Sequence, residues 1–302
     1  MNTIEAYEQD IKTQPLFLKK FKKQKSLSVP QQKNLIFTGS GDSLASAMLA
    51  ECFSNYNARF FDPLDLLKNK TISRDKTVYF VSISGKTISN IKVAKTAKHT
   101  VAITSNPTSK LAKTCNHTIA LTAPNSDVFT AGSISFLESA LTCISLVSEI
   151  KIPNTSKIYQ KAFDDAKKTK FTNRVFILGN YLTYPLAMYC AAKFYEILGY
   201  EAYFERIEQF SHMELFSAKT GDTVIIFEEK NPHNTQLAKS LRKSGLNVVN
   251  PYISSKNRIS LVIFYTFFSQ LLPLFEAKKR NQHDCHFVMA KKLRSTSDIM
   301  IY

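Results

Sequence analysis

Apolar residues along this chain fall into two kinds of segment. Short, nearly continuous apolar runs are typical of buried strands, and longer segments with apolar residues at helical spacing are typical of helices. In the first half, strands are predicted at residues 34–38, 59–61, 77–82, 100–104 and 117–121. Helices are predicted at residues 3–25, 44–53, 89–98, 109–115 and 136–150. Strands and helices therefore alternate through this half of the chain.

The same alternation begins again after a polar, lysine-rich segment. Its strands are predicted at residues 174–178, 202–204, 223–227 and 246–249, and its helices at residues 186–198, 235–244 and 259–275. Alternating strands and helices predict a parallel sheet with helices on both faces, and the repeat predicts two such α/β units in tandem. The predicted divisions are a helical arm, a first domain, a linker, and a second domain with a C-terminal tail, at residues 1–32, 33–150, 151–172 and 173–302.

Composition narrows the class of protein. The chain has 302 residues, of which 44% are hydrophobic, enough for a large core. Its net charge of +16 attracts anions, so nucleic acid, acidic membranes and phosphorylated metabolites are candidate ligands. The lysines are scattered, and no segment interleaves them with the aromatic side chains on which nucleic-acid bases stack. We therefore expect most lysines to lie on the solvated surface and expect no nucleic-acid partner.

The remaining general features favour a cytoplasmic protein. The five cysteines are dispersed, without the spacing of a metal knuckle or a redox pair, which fits a reducing compartment. The N-terminus is polar, so no signal peptide is expected. The most apolar stretch, residues 259–275, is short for a membrane span and contains polar residues. We expect it to be a buried helix and expect no membrane partner.

One loop carries a candidate phosphate site. The run Ser82-Ile83-Ser84-Gly85-Lys86-Thr87 follows a predicted strand and precedes a predicted helix. Ligands of parallel α/β sheets bind at this edge, and a helix N-terminus presents free N–H groups to an anion. The turns Gly41-Asp42-Ser43 and Thr104-Ser105-Asn106 are predicted at the same edge. The alternative is an ordinary Ser/Thr-rich turn that caps a helix. Neither a Walker motif nor a full dinucleotide fingerprint is present, so no nucleotide cofactor is expected.

The serine loop and the first turn resemble the SIS (sugar isomerase) domain. In that family an S-x-S-G-x-T loop grips a sugar phosphate. The resemblance implies phosphate binding by Ser82, Ser84, Gly85 and Thr87, with Ser43 from the first turn.

The second half extends the resemblance to the isomerase part of glucosamine-6-phosphate synthase. That family carries a lysine and a glutamate one helical turn apart, matched by Lys193 and Glu196, and a histidine sixteen residues later, matched by His212. Archaeal phosphoglucose/phosphomannose isomerases share the glutamate-to-histidine spacing. The synthase's tail lysine, seven residues after an aspartate, is matched by Lys291 after Asp284. The segment at residues 11–15 also resembles the family's opening segment.

Several positions depart from the family pattern. Residues 212–214 read His-Met-Glu instead of His-Gly-Pro, and the proline and arginine that precede the tail lysine are replaced around His286 and Phe287. The second half has Phe227-Glu228-Glu229-Lys230 where a phosphate loop would stand, so we expect only the first unit to bind phosphate. The chain starts without the catalytic cysteine of a glutaminase domain, so none is expected.

The resemblance implies a cofactor-free aldose–ketose isomerase of a hexose or hexosamine 6-phosphate, acting as a homodimer. In this interpretation Glu196 moves the proton, Lys193 steadies the carboxylate or the enediolate, His212 assists ring opening and Lys291 contacts the substrate. Two alternatives remain, an amino-sugar-phosphate deaminase or deglycase and a non-catalytic phosphosugar-sensing regulator. The non-catalytic alternative is that Lys193 and Glu196 form a surface ion pair and that His212 is simply an exposed histidine. His283 and His286 flank Asp284 without a third spaced ligand, so no metal is expected.

Overall fold

The computed structural model describes residues 1–124, 126–172 and 174–301. These residues form two compact units. The serine-loop unit comprises residues 20–127, 132–151 and 290–302, and the Glu196 unit comprises residues 1–19, 128–131 and 152–289. Asn173 and Tyr302, the two ends of the predicted second domain, lie outside the described residues.

Nine strands and fourteen α-helices make up the described part of the chain. The strands are β1 (Leu35–Thr38), β2 (Arg59–Phe61), β3 (Thr77–Val81), β4 (His99–Thr104), β5 (His117–Ala120), β6 (Arg174–Leu178), β7 (Glu201–Glu205), β8 (Thr223–Ile226) and β9 (Asn247–Val249). The helices are α1 (Thr3–Lys19), α2 (Val29–Gln32), α3 (Asp42–Phe53), α4 (Pro63–Lys68), α5 (Ile88–Ala94), α6 (Lys110–Thr114), α7 (Ile134–Val147), α8 (Thr155–Lys168), α9 (Tyr184–Lys193), α10 (Ile207–His212), α11 (Pro232–Lys243), α12 (Arg258–Lys279), α13 (His286–Met289) and α14 (Lys291–Ile301).

The serine-loop unit is built on a parallel sheet in the order β2-β1-β3-β4-β5. The central strands β1 and β3 are almost entirely buried, as nearly continuous apolar runs require. On one face β1, β3 and β4 pack against α4, α5 and α6 through Ile36, Phe80, Ile91 and Leu111. Helices α3 and α7 pack against each other, and a buried hydroxyl pair joins them, Ser46 to Ser139 at 2.9 Å.

The Glu196 unit has a parallel sheet in the order β7-β6-β8-β9. This order repeats the first four strands of the serine-loop unit, β2-β1-β3-β4, which confirms the prediction of two similar α/β units in tandem. The long apolar helix α12 packs against α8, α9 and α1. Among the described residues, α12 alone is long and apolar enough to cross a membrane, and 83% of its most apolar window is buried inside the protein.

The N-terminal segment differs from its prediction in extent. The predicted helix over residues 3–25 ends at Lys19, because the lysine-rich residues that follow contain too few apolar positions to give a helix a buried face. Helix α1 belongs to the Glu196 unit, where Thr3, Ile11 and Gln14 are buried. The hydroxyl of Thr155 donates to the carbonyl of Pro15 at 3.0 Å and joins the start of α8 to α1.

The predicted helix over residues 186–198 is interrupted. The α-helical part, α9, ends at Lys193, and one π-helical turn follows over Phe194–Leu198. Gly199 ends this turn in the left-handed conformation, with φ of +68°. Such turns widen the helix locally and occur often at functional sites. This one contains Glu196.

Candidate functional site

The serine loop connects β3 to α5 at the carboxyl edge of its sheet. The backbone N–H of Ser82 donates to Ile103 at 3.0 Å, so the loop begins as a continuation of the β3–β4 ladder. The carbonyl of Ile83 then accepts from the Thr104 hydroxyl at 3.0 Å and from the Ser105 N–H at 3.1 Å. The predicted turn at Thr104-Ser105-Asn106 therefore supports the serine loop from the neighbouring strand.

Gly85 shapes the loop. It has φ of +62°, a conformation that costs glycine little and other residues more. A Cβ at this position would lie 2.1 Å from the Ser109 hydroxyl oxygen, so α6 begins directly against the loop. The Gly85 carbonyl also accepts a hydrogen bond from the Leu111 N–H at 3.1 Å. The loop needs glycine here for both its backbone angle and its packing.

The loop brings hydroxyl groups together. The hydroxyl oxygens of Ser82, which is buried, and Thr87, which is half-buried, are 3.3 Å apart. Ser84 is half-buried, and its hydroxyl accepts from the Lys86 N–H at 3.3 Å. Ser43 is half-buried in the first turn of α3, which follows the neighbouring strand β1. These groups give the carboxyl edge of this sheet the donor chemistry that an anion requires.

In the Glu196 unit, Lys193 and Glu196 form an ion pair between Nζ and Oε2. The Lys193 side chain is 0% exposed and the Glu196 side chain 34% exposed. Lysine is almost never fully buried unless its ammonium is paired. The lysine of this ion pair is therefore not at the surface. Part of the Glu196 side chain remains exposed to solvent.

A buried polar network lies behind the lysine. The ammonium of Lys193 lies 4.9 Å from the centre of the Tyr189 ring, one turn earlier on α9. The Tyr189 hydroxyl accepts from the Gln270 amide of α12 at 2.9 Å, and the Gln270 Oε1 accepts from the Gln14 amide of α1 at 2.9 Å. Tyr189, Gln270 and Gln14 are all buried. Sequence reasoning missed this network, although a glutamine within the apolar stretch 259–275 was a signal for it.

The segment before α13 and the first residue of α13 pack against the π-turn. The Gln282 amide donates to the carbonyl of Ile197 at 2.6 Å, and a Cβ on Gly199 would lie 2.6 Å from the His286 ring. Burial raises the pKa of the Cys285 thiol, and the nearby Glu196 carboxylate acts in the same direction. Asp284 accepts from the N–H and the hydroxyl of Thr3 at 3.1 and 2.9 Å, which lowers its pKa and anchors this segment to the start of α1.

The other two predicted catalytic residues are exposed. His212 ends α10, its side chain is 72% exposed, and its Nε2 lies 3.8 Å from Glu208. Lys291 is exposed at the start of α14, in the serine-loop unit. Of the four residues predicted to be catalytic, the structure brings Lys193 and Glu196 into contact.

No metal site is seen among residues 1–124, 126–172 and 174–301, where no three His, Cys, Asp or Glu side chains are grouped to hold an ion. All five cysteines are free. Burial raises the pKa of Cys190, beside the Lys193 site, to about 12. Its thiol therefore stays protonated at neutral pH.

Known structures resemble this fold over almost its whole length. Glucosamine-6-phosphate deaminase from Thermotoga maritima is 17% identical with a TM-score of 0.73, covering 91% of this chain and 95% of that one. The C-terminal domain of glucosamine-fructose-6-phosphate aminotransferase from Francisella tularensis is 14% identical with a TM-score of 0.68, covering 89% and 94%. Tagatose-6-phosphate ketose/aldose isomerase from Escherichia coli is 16% identical with a TM-score of 0.67, covering 90% and 93%.

No protein-family model matches the sequence, and no curated protein matches it. The similarity is therefore one of fold, with sequence identity too low to assign an activity. The parallel sheets and their common strand order agree with the predicted resemblance. This chain has the fold of the double SIS proteins, with two tandem parallel-sheet units.

Proposed function

We propose that this chain binds a phosphorylated sugar and interconverts its aldose and ketose forms without a cofactor, acting on a hexose or hexosamine 6-phosphate. The observation that carries the proposal is the buried lysine paired with a partly exposed glutamate in a SIS fold. Burying an ammonium costs several kcal/mol, and the resulting ion pair is a weak source of stability. A catalytic use of the carboxylate supplies a reason for this arrangement.

The serine loop supports the phosphate half of the proposal. The hydroxyls of Ser82, Ser84 and Thr87, with Ser43, would donate hydrogen bonds to the phosphate oxygens, and Gly85 allows close approach of the backbone. Charge-assisted hydrogen bonds of this kind contribute roughly 1.5–3 kcal/mol each. The net charge of +16 favours the approach of a dianionic substrate.

The proton transfer needs a carboxylate base. Glu196 would take the proton from C2 of the open-chain aldose and return it at C1, while a second proton moves between O1 and O2 of a hexose, or between O1 and the C2 nitrogen of a hexosamine. The reaction is internally balanced and uses no oxidant or reductant. The ammonium of Lys193 would hold the carboxylate in place and offset negative charge on the enediolate. His212 and Lys291 are proposed for ring opening and substrate contact, and the functional form is proposed to be a cytoplasmic homodimer.

The test is deuterium exchange into a panel of hexose and hexosamine 6-phosphates, followed by NMR. The wild-type protein should introduce deuterium at C1 or C2 of its substrate. Glu196→Gln keeps the size of the side chain but cannot accept the proton, so the rate should fall by roughly 10²–10⁴ while sugar-phosphate affinity persists. Exchange at the wild-type rate in this variant would contradict the role of Glu196.

Ser84→Ala is the matched control, because it should act on binding instead of proton transfer. Its affinity for the phosphosugar should fall by roughly 1–3 kcal/mol, measured by calorimetry. Unchanged affinity would remove the serine loop from the site. If the wild-type protein binds phosphosugars but exchanges none of them, the sensing regulator becomes the better description.

A second candidate function is an amino-sugar-phosphate deaminase, favoured by the structural similarity to the Thermotoga maritima deaminase. It would use the same site to isomerise a hexosamine 6-phosphate, and water would then replace the amine to give the ketohexose 6-phosphate and ammonia. A coupled ammonia assay on the same panel distinguishes the two reactions.

A further inference from the structure

The turn between β6 and α9 holds a carboxylate of the protein itself. The Asn180 N–H donates to Glu228 Oε1 at 2.8 Å, and the Thr183 hydroxyl donates to the same oxygen at 2.7 Å. Glu228 comes from the loop after β8, the neighbouring strand in the sheet. Two donors at the start of a ten-residue helix thus converge on one negatively charged oxygen.

The strand register makes this turn equivalent to the β1–α3 turn of the serine-loop unit. Thr38 of β1 pairs with Phe80 of β3, and Leu178 of β6 pairs with Ile226 of β8. A glycine directly follows each of these first strands, Gly39 after β1 and Gly179 after β6. The residue two positions after Phe80 is Ser82, and the residue two positions after Ile226 is Glu228.

The two turns also share their geometry. A Cβ on Gly39 would lie 2.8 Å from the Ser43 Cβ, and a Cβ on Gly179 would lie 2.6 Å from the Thr183 carbonyl oxygen. Both turns contain a left-handed residue two positions after the glycine, with φ of +57° and +48°. Thr183 therefore corresponds to Ser43, and Glu228 corresponds to Ser82 of the serine loop.

We propose that the Glu228 carboxylate is an internal anion that occupies, in the Glu196 unit, the position that phosphate takes in the serine-loop unit. This comparison rests on the proposed phosphate site of that unit. Glu228 uses the donors that a phosphate would need, and its charge repels a second anion. In this proposal Glu228 limits each chain to one bound phosphosugar molecule.

The surrounding contacts keep the carboxylate in place. The Asn250 amide, just after β9, donates to the carbonyls of Ile226 and Glu228 at 2.8 and 3.1 Å. The backbone of the segment is thus tied to the next strand, and Thr183 itself is buried. A phosphate could reach these donors only if the Glu228 side chain left them.

The experiment counts bound inorganic phosphate per chain by equilibrium dialysis. The wild-type protein should bind a single phosphate, in the serine-loop unit. Glu228→Ser introduces the residue found at the equivalent position of the serine-loop unit, Ser82, and should add a second phosphate site. Glu229→Ser changes the net charge equally at the adjacent exposed position and should add none.

Glu228→Gln covers the case in which the serine variant does not fold. The glutamine Oε1 can accept both hydrogen bonds, but the neutral amide no longer repels phosphate, so a second site should appear with lower affinity than in Glu228→Ser. Absence of a second site in both folded variants, or two sites in the wild-type protein, would overturn the proposal. A wild-type protein that binds no phosphate would instead contradict the proposed function.

Discussion

At the scale of single residues, the charged side chains of Lys193 and Glu228 both lie where solvation is poor. Lys193 is fully buried and is held by Glu196 and the face of Tyr189. Glu228 is half-buried and is held by Asn180 and Thr183. Desolvation makes such charges costly unless polar groups replace the lost water. In both places the structure supplies those groups, which is why each charge is tolerated and why each is sensitive to substitution.

The pH dependence of stability should reveal the state of Glu228. Burial raises its pKa above the ordinary value of 4.5, although the hydrogen bonds from Thr183 and Asn180 oppose the rise. A carboxyl whose pKa is raised by folding contributes stability that is fully present below its unfolded pKa and is lost as pH rises through its folded pKa. The glutamine of Glu228→Gln does not titrate, so this variant does not lose stability in this way as pH rises.

The free energy of unfolding of Glu228→Gln, relative to the wild-type protein, should therefore increase as pH rises from 4.5 toward neutrality. Denaturant titrations in phosphate-free buffer at a series of pH values measure this difference. A difference that stays constant across the series would show that folding does not raise the pKa of Glu228.

At the scale of elements, three helices share one buried polar connection. Gln14 of α1, Gln270 of α12 and Tyr189 of α9 are linked by hydrogen bonds of 2.9 Å and have no exposed surface. Tyr189 also contacts the ammonium of Lys193. Because a buried polar group without a partner is costly, this connection ties the register of α1 and α12 to the helix that carries Lys193.

Gln270→Leu should destabilise the protein, because it takes the acceptor from the buried Gln14 amide and removes one hydrogen bond to the Tyr189 hydroxyl. The expected loss in free energy of unfolding is roughly 1–3 kcal/mol. In the double variant Gln14→Leu/Gln270→Leu the Gln14 amide is gone as well, so the double variant should be more stable than Gln270→Leu alone. Denaturant unfolding measures both, and additive losses would contradict the connection.

At the scale of the whole molecule, charge and association are coupled. Each chain carries a net charge of +16, so two chains repel each other at long range. The apolar helix α12 cannot provide a dimer contact over most of its length, because residues such as Ile263, Phe267 and Leu271 are already buried inside the chain, where α12 packs against α8, α9 and α1. The proposed homodimer must therefore use other surfaces.

We predict that the protein is a homodimer whose stability increases with salt, because salt screens the repulsion between the two chains over about 10 Å at 0.1 M ionic strength. Light scattering at several protein and salt concentrations measures the mass. The comparison protein is Lys12→Gln, whose lysine side chain is 63% exposed and which lowers the charge of each chain. A monomer with full activity at every concentration would contradict the prediction.

The fold was largely readable from the order of apolar runs. All nine strands were predicted to within about two residues at each end. Short helices such as α4 and α10 were not predicted, because segments of six residues show too little periodicity. The end of α1 and the π-turn after Lys193 were also not predicted. Both depend on what the helix packs against, which a local pattern does not record.

For the candidate site, the sequence determined the residue types and their spacing, including the serine loop and the turn of helix between Lys193 and Glu196. It left open whether that pair lay at the surface, because the two residues have the same spacing on an exposed and on a buried helix. Only the tertiary structure decided this, because α12 packs against α9 and the Lys193 ammonium is fully buried. It likewise brought Glu228 to Thr183, 45 residues apart, since parallel strands meet at one edge only when the sheet has formed.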